Sequence, residues 1–258
     1  MSTDMPSYGA PQGNGQGYGN TPPSYGSTPP GYGNAAPGYG YGVPAPQPTI
    51  SVGDGLSWAW ARITNNPVVL LVGFGIWTIL GRIGAEASYT VNGVEHHYGL
   101  GIPGGGLITL VVALISPIPL AHVGLLTSSG RKATFADFFT FPNFARTVLA
   151  LALSGLAIAL GSILLIVPGL VLLYLLTFVE YVGVEHNTGA IDSMKMSMRL
   201  LADNLGLILF ALVGILLHIV GSITVIGWII TGPLVALMTT YAYVRVQGRD
   251  VARYPSQG

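Results

Sequence analysis

Two ionisable residues fall within strongly apolar stretches of the sequence, where such side chains are uncommon. Glu180 lies near the end of the stretch 168–184, and His218 lies deep in the stretch 205–223. Ionisable groups at membrane depth are costly to bury, so they mark binding sites or proton pathways by default. The functional interpretation therefore gives Glu180 a basic partner or a bound cation, and gives His218 a role in proton relay.

Both residues also have a structural interpretation, which the sequence favours. Glu180 would be an interfacial glutamate bonded to water or to Lys195, and His218 would be a neutral histidine bonded to a backbone carbonyl. His122, near the inner end of the stretch 105–127, is the third candidate, and there a hydrated histidine is expected. No residue is predicted to be catalytic.

Metal and cofactor chemistry have little support in the sequence. Glu95, His96 and His97 have suitable side chains, but adjacent histidines in a loop are poor ligands without further partners. The chain contains no Walker loop, dinucleotide fingerprint, GxSxG or HExxH motif, and no cysteine. We therefore predict no metal and no cofactor, and a protein that is not an enzyme.

The composition predicts a protein embedded in a membrane. Half of the 258 residues are hydrophobic and 8% are Asp, Glu, Lys or Arg, whereas soluble domains carry about 25% of these four. So few charges cannot cover a surface that water must wet, so membrane lipid is the expected partner. The formal net charge is zero, and nothing in the sequence indicates binding to nucleic acid.

Residues 1–48 form a separate segment that is rich in Gly, Pro and Tyr and is almost uncharged. Its only acid is Asp4, and it has no Lys or Arg. Such a segment cannot bury enough apolar surface to offset the entropy of ordering, so a disordered tail is predicted. The tail is either a flexible spacer or an interaction segment for self-association or protein partners. Tyr-Gly steps recur at Tyr8, Tyr18, Tyr25, Tyr32, Tyr39 and Tyr41.

Six apolar stretches approach the roughly 20 residues that a membrane-spanning helix needs. Turn residues divide the two longest runs, at Val167-Pro168-Gly169 and at Gly221-Ser222 or Gly227. A four-span protein with two long buried helices is the alternative. The predicted fold is an all-α polytopic membrane helical bundle in residues 49–247, followed by a short tail, 248–258. The predicted spans are 67–83, 105–127, 147–167, 168–184, 205–223 and 225–246.

The basic residues predict the orientation of these spans, because cytoplasmic loops carry an excess of Lys and Arg. With six spans and the N-terminus inside, Arg82 alone of the ten basic residues lies outside. We therefore predict a multi-pass plasma-membrane protein with both termini in the cytoplasm and the loop 84–104 outside. The inner residues are Arg62, Arg131, Lys132, Arg146, Lys195, Arg199, Arg245, Arg249 and Arg253.

A short amphipathic segment precedes each predicted pair of spans. These segments are 51–65, 134–146 and 188–203, and each is followed by an asparagine near the entry into lipid or contains one there. In the third segment, Ile191, Met194, Met198 and Leu201 form the predicted apolar stripe. A threefold repeat of connector, span, turn and span is one interpretation. Ordinary cytoplasmic connectors of an even-spanning protein are the other. The three asparagines are Asn66, Asn143 and Asn204.

Three stretches of sequence resemble a known family. They are LSWAWARITNNP at 56–67, GAIDSMKMSMRLLADN at 189–204 and TGPLVALMTTYAYVRVQG at 231–248. They resemble the actinobacterial proline and glycine rich transmembrane protein group, and the six-span proteins related to the membrane domain of glycerophosphoryl diester phosphodiesterase. The resemblance implies six helices in the inner membrane and no particular activity. The phosphodiesterase domain has no counterpart in these stretches.

These features favour a non-enzymatic membrane scaffold or assembly factor, because an apolar bundle is joined to a repetitive tail. A transporter or channel for a small or lipidic substrate is the alternative, and a membrane-embedded enzyme ranks third. Pro117, Pro119 and Gly232-Pro233 are predicted to break helices, and broken helices can line transport sites. A closed apolar bundle would favour the scaffold, whereas a cavity lined by Glu180 or His218 would favour transport.

Overall fold

The computed structural model describes residues 50–83, 87–92, 94–98, 105–221 and 225–253. The predicted tail, 1–48, lies outside these ranges. The described residues form ten α-helices, two short 3-10 helices and one β-hairpin. In chain order these are α1 (Val52–Asn65), α2 (Pro67–Ile83), β1 (Ala87–Val91), β2 (Val94–Tyr98), α3 (Gly105–Ile115), α4 (Pro117–Ser128), a 3-10 helix (Phe135–Phe139), α5 (Phe144–Leu164), α6 (Ile166–Leu175), α7 (Val179–His186), α8 (Ala190–Ala202), a 3-10 helix (Leu205–Leu207), α9 (Ile208–Gly221) and α10 (Val225–Val246).

The all-α bundle predicted from the sequence is confirmed, and its long helices are those of a membrane-embedded protein. Four helical segments are long and apolar enough to cross a membrane, and two bent pairs raise the number to as many as six. The four segments are Gly105–Ser128, Phe144–Leu164, Ile166–His186 and Gly227–Val246. The bent pairs join α1 to α2 at 104° and α8 to α9 at 91°.

Each bend is made where an amphipathic helix meets a strongly apolar one. Asn66 ends α1, and its side-chain amide donates to the Ala133 carbonyl at 2.9 Å. Asn204 follows α8, and its amide donates to the Leu200 carbonyl at 2.9 Å. Asn204 thus satisfies a carbonyl that the end of α8 leaves without a partner, whereas Asn66 ties its bend to the loop after α4. Two of the three predicted connector segments are therefore α-helices, and they lie steeply angled to the apolar helices that follow.

Each connector helix buries part of its apolar face. In α1, Ala59 and Ile63 are buried together with Arg62, whereas Leu56 and Trp60 are exposed. In α8, Leu201 of the predicted stripe is buried and Ile191 is exposed, while Ser193 and Ser197 are fully buried. At a membrane surface, an exposed apolar side chain has lipid as an alternative to the protein core. The side of each helix that packs on the bundle therefore combines apolar with small or polar residues.

The turn between α5 and α6 lies earlier than predicted. Leu165 is the single extended residue between the two helices, and Pro168 lies within the first turn of α6. Proline is tolerated there because the first N–H groups of a helix have no intrahelical partner. Gly169 lies so close to Ser162 of α5 that a β-carbon would overlap that side chain. The glycine thus serves close packing of the hairpin, and the predicted turn at residues 167–169 was wrong.

The predicted break at Gly232-Pro233 was also wrong. The helix α10 continues from Val225 to Val246 with Pro233 inside it. A proline removes one backbone hydrogen bond, and membrane helices tolerate this when packed neighbours hold the helix together. Of the two turns proposed between the last two spans, Gly221-Ser222 matches the end of α9 at Gly221, whereas Gly227 lies within α10.

The chain segments that carry basic residues meet at one end of the bundle. Trp58 and Arg62 of α1 both donate to the carbonyl of Ala252, whose N–H donates to Ser128 at the end of α4. Arg249 pairs with Glu185 near the end of α7 at 2.6 Å. These contacts place α1 and the ends of α4, α7 and α10 together, as an even number of crossings requires.

The loop between α2 and α3 contains the antiparallel β-hairpin, which the sequence did not predict. Ala87–Val91 pairs with Val94–Tyr98, and Asn92 in the turn has a positive φ of 54°. Asparagine adopts this left-handed conformation more readily than most residues. The metal site considered from the sequence would use the side chains of Glu95, His96 and His97. These side chains lie outside the described part of the structure.

A candidate solute-binding cavity

A cavity of about 410 Å³ lies among α2, α9, α10 and two interrupted helices, α3/α4 and α6/α7. Its volume is within the range of roughly 300–1,000 Å³ that is usual for small-molecule sites. It brings together Glu180 and His218, which are 38 positions apart in the sequence. The other polar residues of the lining are Thr78, Ser116, Thr177 and Thr239, and the aromatic ones are Phe74, Trp77, Tyr181 and Trp228.

Both interrupted helices reach the cavity at their point of interruption. Ser116 separates α3 from α4, and the following Pro117 begins the new helix, as the sequence predicted. Residues 176–178 separate α6 from α7, and Thr177 lines the cavity there. Ser116 keeps helical dihedral angles, with φ −59° and ψ −33°, so the first helix loses there only the hydrogen bonds that Pro117 and Pro119 cannot donate. Such a loss at membrane depth is tolerated where the backbone is buried in protein or lines a cavity. The cavity therefore lies where two helices depart from regular hydrogen bonding.

Ser197 of α8 holds the second interruption in place. Its hydroxyl donates to the Leu175 carbonyl at 2.8 Å and accepts from the Phe178 N–H at 3.1 Å. These are the carbonyl and the amide on the two sides of the break, and Ser197 is fully buried. One side chain thus replaces part of the helical hydrogen bonding that α6 and α7 lose between them. Sequence reasoning missed this residue because it considered only the apolar stripe and the charged residues of this segment, and a serine belongs to neither group.

Glu180 occupies the first turn of α7, immediately after this break. The N-terminus of a helix favours a negatively charged group, because the free N–H groups of the first turn point towards such a group. In the described part of the chain no ion pair joins Glu180 to a basic residue. The proposed partner Lys195 is exposed on α8, so the pairing suggested from the sequence is not formed. The carboxylate instead lines the cavity.

His218 combines the two interpretations that the sequence left open. Its Nδ1 lies 3.0 Å from the Gly214 carbonyl, as expected of a histidine that satisfies its own helix. Its ring also lines the cavity and packs edge-on against Trp228, with ring centroids 5.3 Å apart. His122, by contrast, is half-buried on α4 and does not line the cavity. The structure therefore brings two of the three candidate residues together and leaves the third apart.

The lining residues that sequence reasoning missed follow a helical spacing. On α10 they are Val235, Ala236 and Thr239, and on α4 they are Pro117, Leu120 and Ala121. Such i, i+3 and i+4 spacing marks one face of a helix. Because every side of these helices is apolar or small, nothing in the sequence distinguishes this face from one turned to lipid.

No set of three His, Cys, Asp or Glu residues suited to a metal ion occurs within the described ranges. Glu180 is the only carboxylate among the described residues of the cavity lining. This donor set falls short of what a bound divalent metal needs. The arrangement is suited to binding a solute with one charge and several hydrogen-bonding groups.

Comparison with known proteins finds mycobacterial relatives. The chain is 29% identical over 227 residues to the uncharacterized protein Rv2560 of Mycobacterium tuberculosis strain H37Rv, covering 78% of this chain and 70% of the relative. The same values hold for the uncharacterized protein Mb2590 of Mycobacterium bovis. No protein-family model matches the chain, and no solved structure matches it. The relatives' names state no activity, so the cavity carries the argument about function.

Proposed function

We propose that this protein is a multi-pass plasma-membrane transporter that binds a small solute in the cavity containing Glu180 and His218. The observation that carries the proposal is the meeting of both residues with two interrupted helices around one space of about 410 Å³. Secondary transporters build their sites from discontinuous helices in this way, because freed backbone groups and helix termini can then contact the solute.

Membrane lipid is the proposed surrounding of the bundle. Large apolar side chains at the α5–α6 turn point away from the protein, with Ile163 80% and Ile166 75% exposed. In water such a surface would be an aggregation hazard, whereas in hydrocarbon it costs nothing. We place the end that carries Arg62 and Arg249 in the cytoplasm, together with both termini, because basic residues are retained on that side.

The cavity favours transport over the scaffold and the enzyme. A scaffold needs only a closed apolar bundle. In a scaffold, the isolated carboxylate beside an open space would destabilise the fold and serve no function. An enzyme that hydrolyses lipid would need clustered carboxylates or a metal, and Glu180 is the only acid that the described lining contains. The scaffold hypothesis rests on the tail and is tested separately through it.

Transport requires that the cavity open to each side of the membrane in turn, and this can be measured without knowing the solute. The chain has no cysteine, so Thr239→Cys introduces a single reactive group into the lining. We expect a small impermeant methanethiosulfonate reagent to modify it in both right-side-out and inside-out membrane vesicles. The modification is followed by the loss of later labelling with a fluorescent maleimide.

Two further cysteines calibrate this experiment. Ser129→Cys, on the exposed loop after α4, should react only in inside-out vesicles. Leu164→Cys, on the apolar α5–α6 turn, should react in neither. If Thr239→Cys reacts from one side only, or from neither, under all conditions, the cavity does not alternate and the transport proposal is wrong.

A further inference from the structure

Three threonine hydroxyls of the cavity lining have already used their protons. Thr78, Thr177 and Thr239 each donate to the carbonyl four residues earlier in the chain, at 2.9–3.0 Å. A hydroxyl has one proton and two lone pairs. These three side chains can therefore offer only lone pairs to a bound solute.

The side chains of Tyr181, Trp77 and His218 follow the same pattern. The Tyr181 hydroxyl donates to the Ala236 carbonyl at 3.0 Å, and the Trp77 indole N–H donates to the Phe138 carbonyl at 3.0 Å. His218 Nδ1 faces a carbonyl, so this nitrogen carries the proton of the neutral ring and Nε2 is left as an acceptor. The cavity thus offers acceptors in several directions, while the donors of these side chains are already committed.

The charge of the lining agrees with its hydrogen bonding. Glu180 contributes a carboxylate, and no Lys or Arg lines the cavity within the described residues. The aromatic rings of Phe74, Trp77 and Trp228 surround the same space. The faces of such rings attract cations, most strongly where water is excluded. An anion would meet the like charge of Glu180 and the lone pairs of the threonine hydroxyls in this site.

From these features we infer that the solute is a small organic monocation that carries N–H groups, that is, a protonated amine. The inference rests on the proposed transport function and specifies the substrate class of its cavity. Glu180 neutralises the charge, the threonine hydroxyls accept from the N–H groups, and the aromatic rings cover the apolar body. A bare metal cation fits poorly, because it requires several oxygen ligands at fixed short distances, whereas one carboxylate and mostly apolar walls surround this space.

Benzylammonium, benzyl alcohol and benzoate test the inference, because they share one ring and differ in charge. Their binding is measured by titration calorimetry on the purified full-length protein in lipid nanodiscs at neutral pH. We expect benzylammonium to bind about 30-fold more tightly than the alcohol, because removing one charge from a buried pair of opposite charges weakens binding by about this factor. Benzoate should bind most weakly. Benzyltrimethylammonium, which has the charge without the N–H groups, should fall between benzylammonium and the alcohol.

Glu180→Gln should abolish the preference for benzylammonium over benzyl alcohol. The matched control is Glu185→Gln on the same helix, whose carboxylate pairs with Arg249 outside the cavity, and it should keep the preference. The comparison of the three probes on the unmodified protein stays decisive even if a variant fails to fold.

Equal binding of the three probes, a benzoate preference, or no binding of benzylammonium would each overturn the amine assignment. If Thr239→Cys still reacts from both sides of the membrane, transport stands and only the substrate class is wrong. If that cysteine does not react from both sides, the transport function itself is wrong.

Discussion

At the scale of single residues, polar side chains in this bundle act mainly on interrupted backbone. Asn143 is a third example beside Ser197 and Asn204: its amide donates to the carbonyls of Gly183 and Val184 at the end of α7. A buried carbonyl or amide without a partner costs about 1–3 kcal/mol. Each of these side chains therefore lets a helix stop or bend at a chosen position inside an apolar environment.

Ser197→Ala tests this role. The change leaves the Leu175 carbonyl and the Phe178 N–H without their described partner, and we expect the free energy of unfolding to fall by about 2 kcal/mol. Ser57→Ala removes a serine hydroxyl that also bonds a carbonyl, but on an exposed surface, and should change stability by less than about 0.5 kcal/mol. Thermal unfolding in detergent measures both. If both variants lose the same free energy of unfolding, the hydrogen bonds of Ser197 across the break do not stabilise the fold more than an exposed serine does.

At the scale of helices, small residues let α4, α5, α7 and α10 approach closely. Gly124 on α4 lies against Thr240 on α10, and Gly183 on α7 lies against Thr147 on α5. Within a membrane, helix association depends on such packing because lipid is as apolar as the side chains. The cavity-lining helices α4 and α10 are thus held to each other, and α7 to α5, by contacts that leave no room for a β-carbon.

Gly124→Ala should weaken this packing. A β-carbon at this position would overlap the Thr240 side chain, and overpacking of a well-packed site costs about 1–3 kcal/mol. Gly155→Ala on α5 is the matched control, because open space surrounds that position, and alanine there should be neutral or stabilising by up to about 1 kcal/mol. Adding Thr240→Ala to Gly124→Ala should restore part of the loss. Thermal unfolding of the four proteins checks the scheme, and no rescue would refute the contact as its cause.

At the scale of the whole molecule, the three predicted units converge on the cavity. Each unit contributes the second helix of its pair: α4, α7 and α10 all line the space. The first and third units each begin with a connector helix, and the chain bends by 104° and 91°, respectively, into the apolar helix that follows. The middle unit differs, since its connector is a 3-10 helix of five residues. The second helix of each predicted pair therefore contributes to the cavity, whereas the three connectors differ in form.

The orientation proposed from the basic residues can be tested with single cysteines. Ser88→Cys, in the loop predicted to lie outside, should react with an impermeant maleimide in intact cells. Lys195→Cys, exposed on α8, should react only after permeabilisation. Ser193 is unsuitable as the inner reporter because it is fully buried. The reverse pattern would contradict the proposed orientation, and labelling of both in intact cells would require an odd number of spans.

The tail carries the scaffold hypothesis, and it lies outside the described residues. A fluorescent fusion that starts at Thr49 should reach the same abundance as the full chain, because residues 1–48 lack the apolar periodicity needed to pack on the bundle. If the tyrosines self-associate, the full-length fusion should be patchy in the membrane and the truncated one even. Changing the six Tyr-Gly tyrosines to serine should also give the even pattern. Identical patterns for all three fusions would leave the tail as a passive spacer.

The sequence alone determined the class of this protein and the approximate positions of its helices. Its apolar stretches, the shortage of charge and Pro117 are local features, and helix formation in an apolar solvent depends on them directly. Glu180 and His218 were also recognisable from the sequence, because an ionisable residue within an apolar stretch stands out wherever it lies in the fold.

The tertiary structure alone decided that these residues share a cavity and that Ser197 holds the break beside it. Five helical segments from distant parts of the chain form that space, and their rotation about their own axes is set by close contacts such as Gly124 with Thr240. An α-helix that is apolar on every side has no periodic signal to show which face meets protein and which meets lipid. For this reason the lining of the cavity could not be read from the sequence, whereas the helices that form it could.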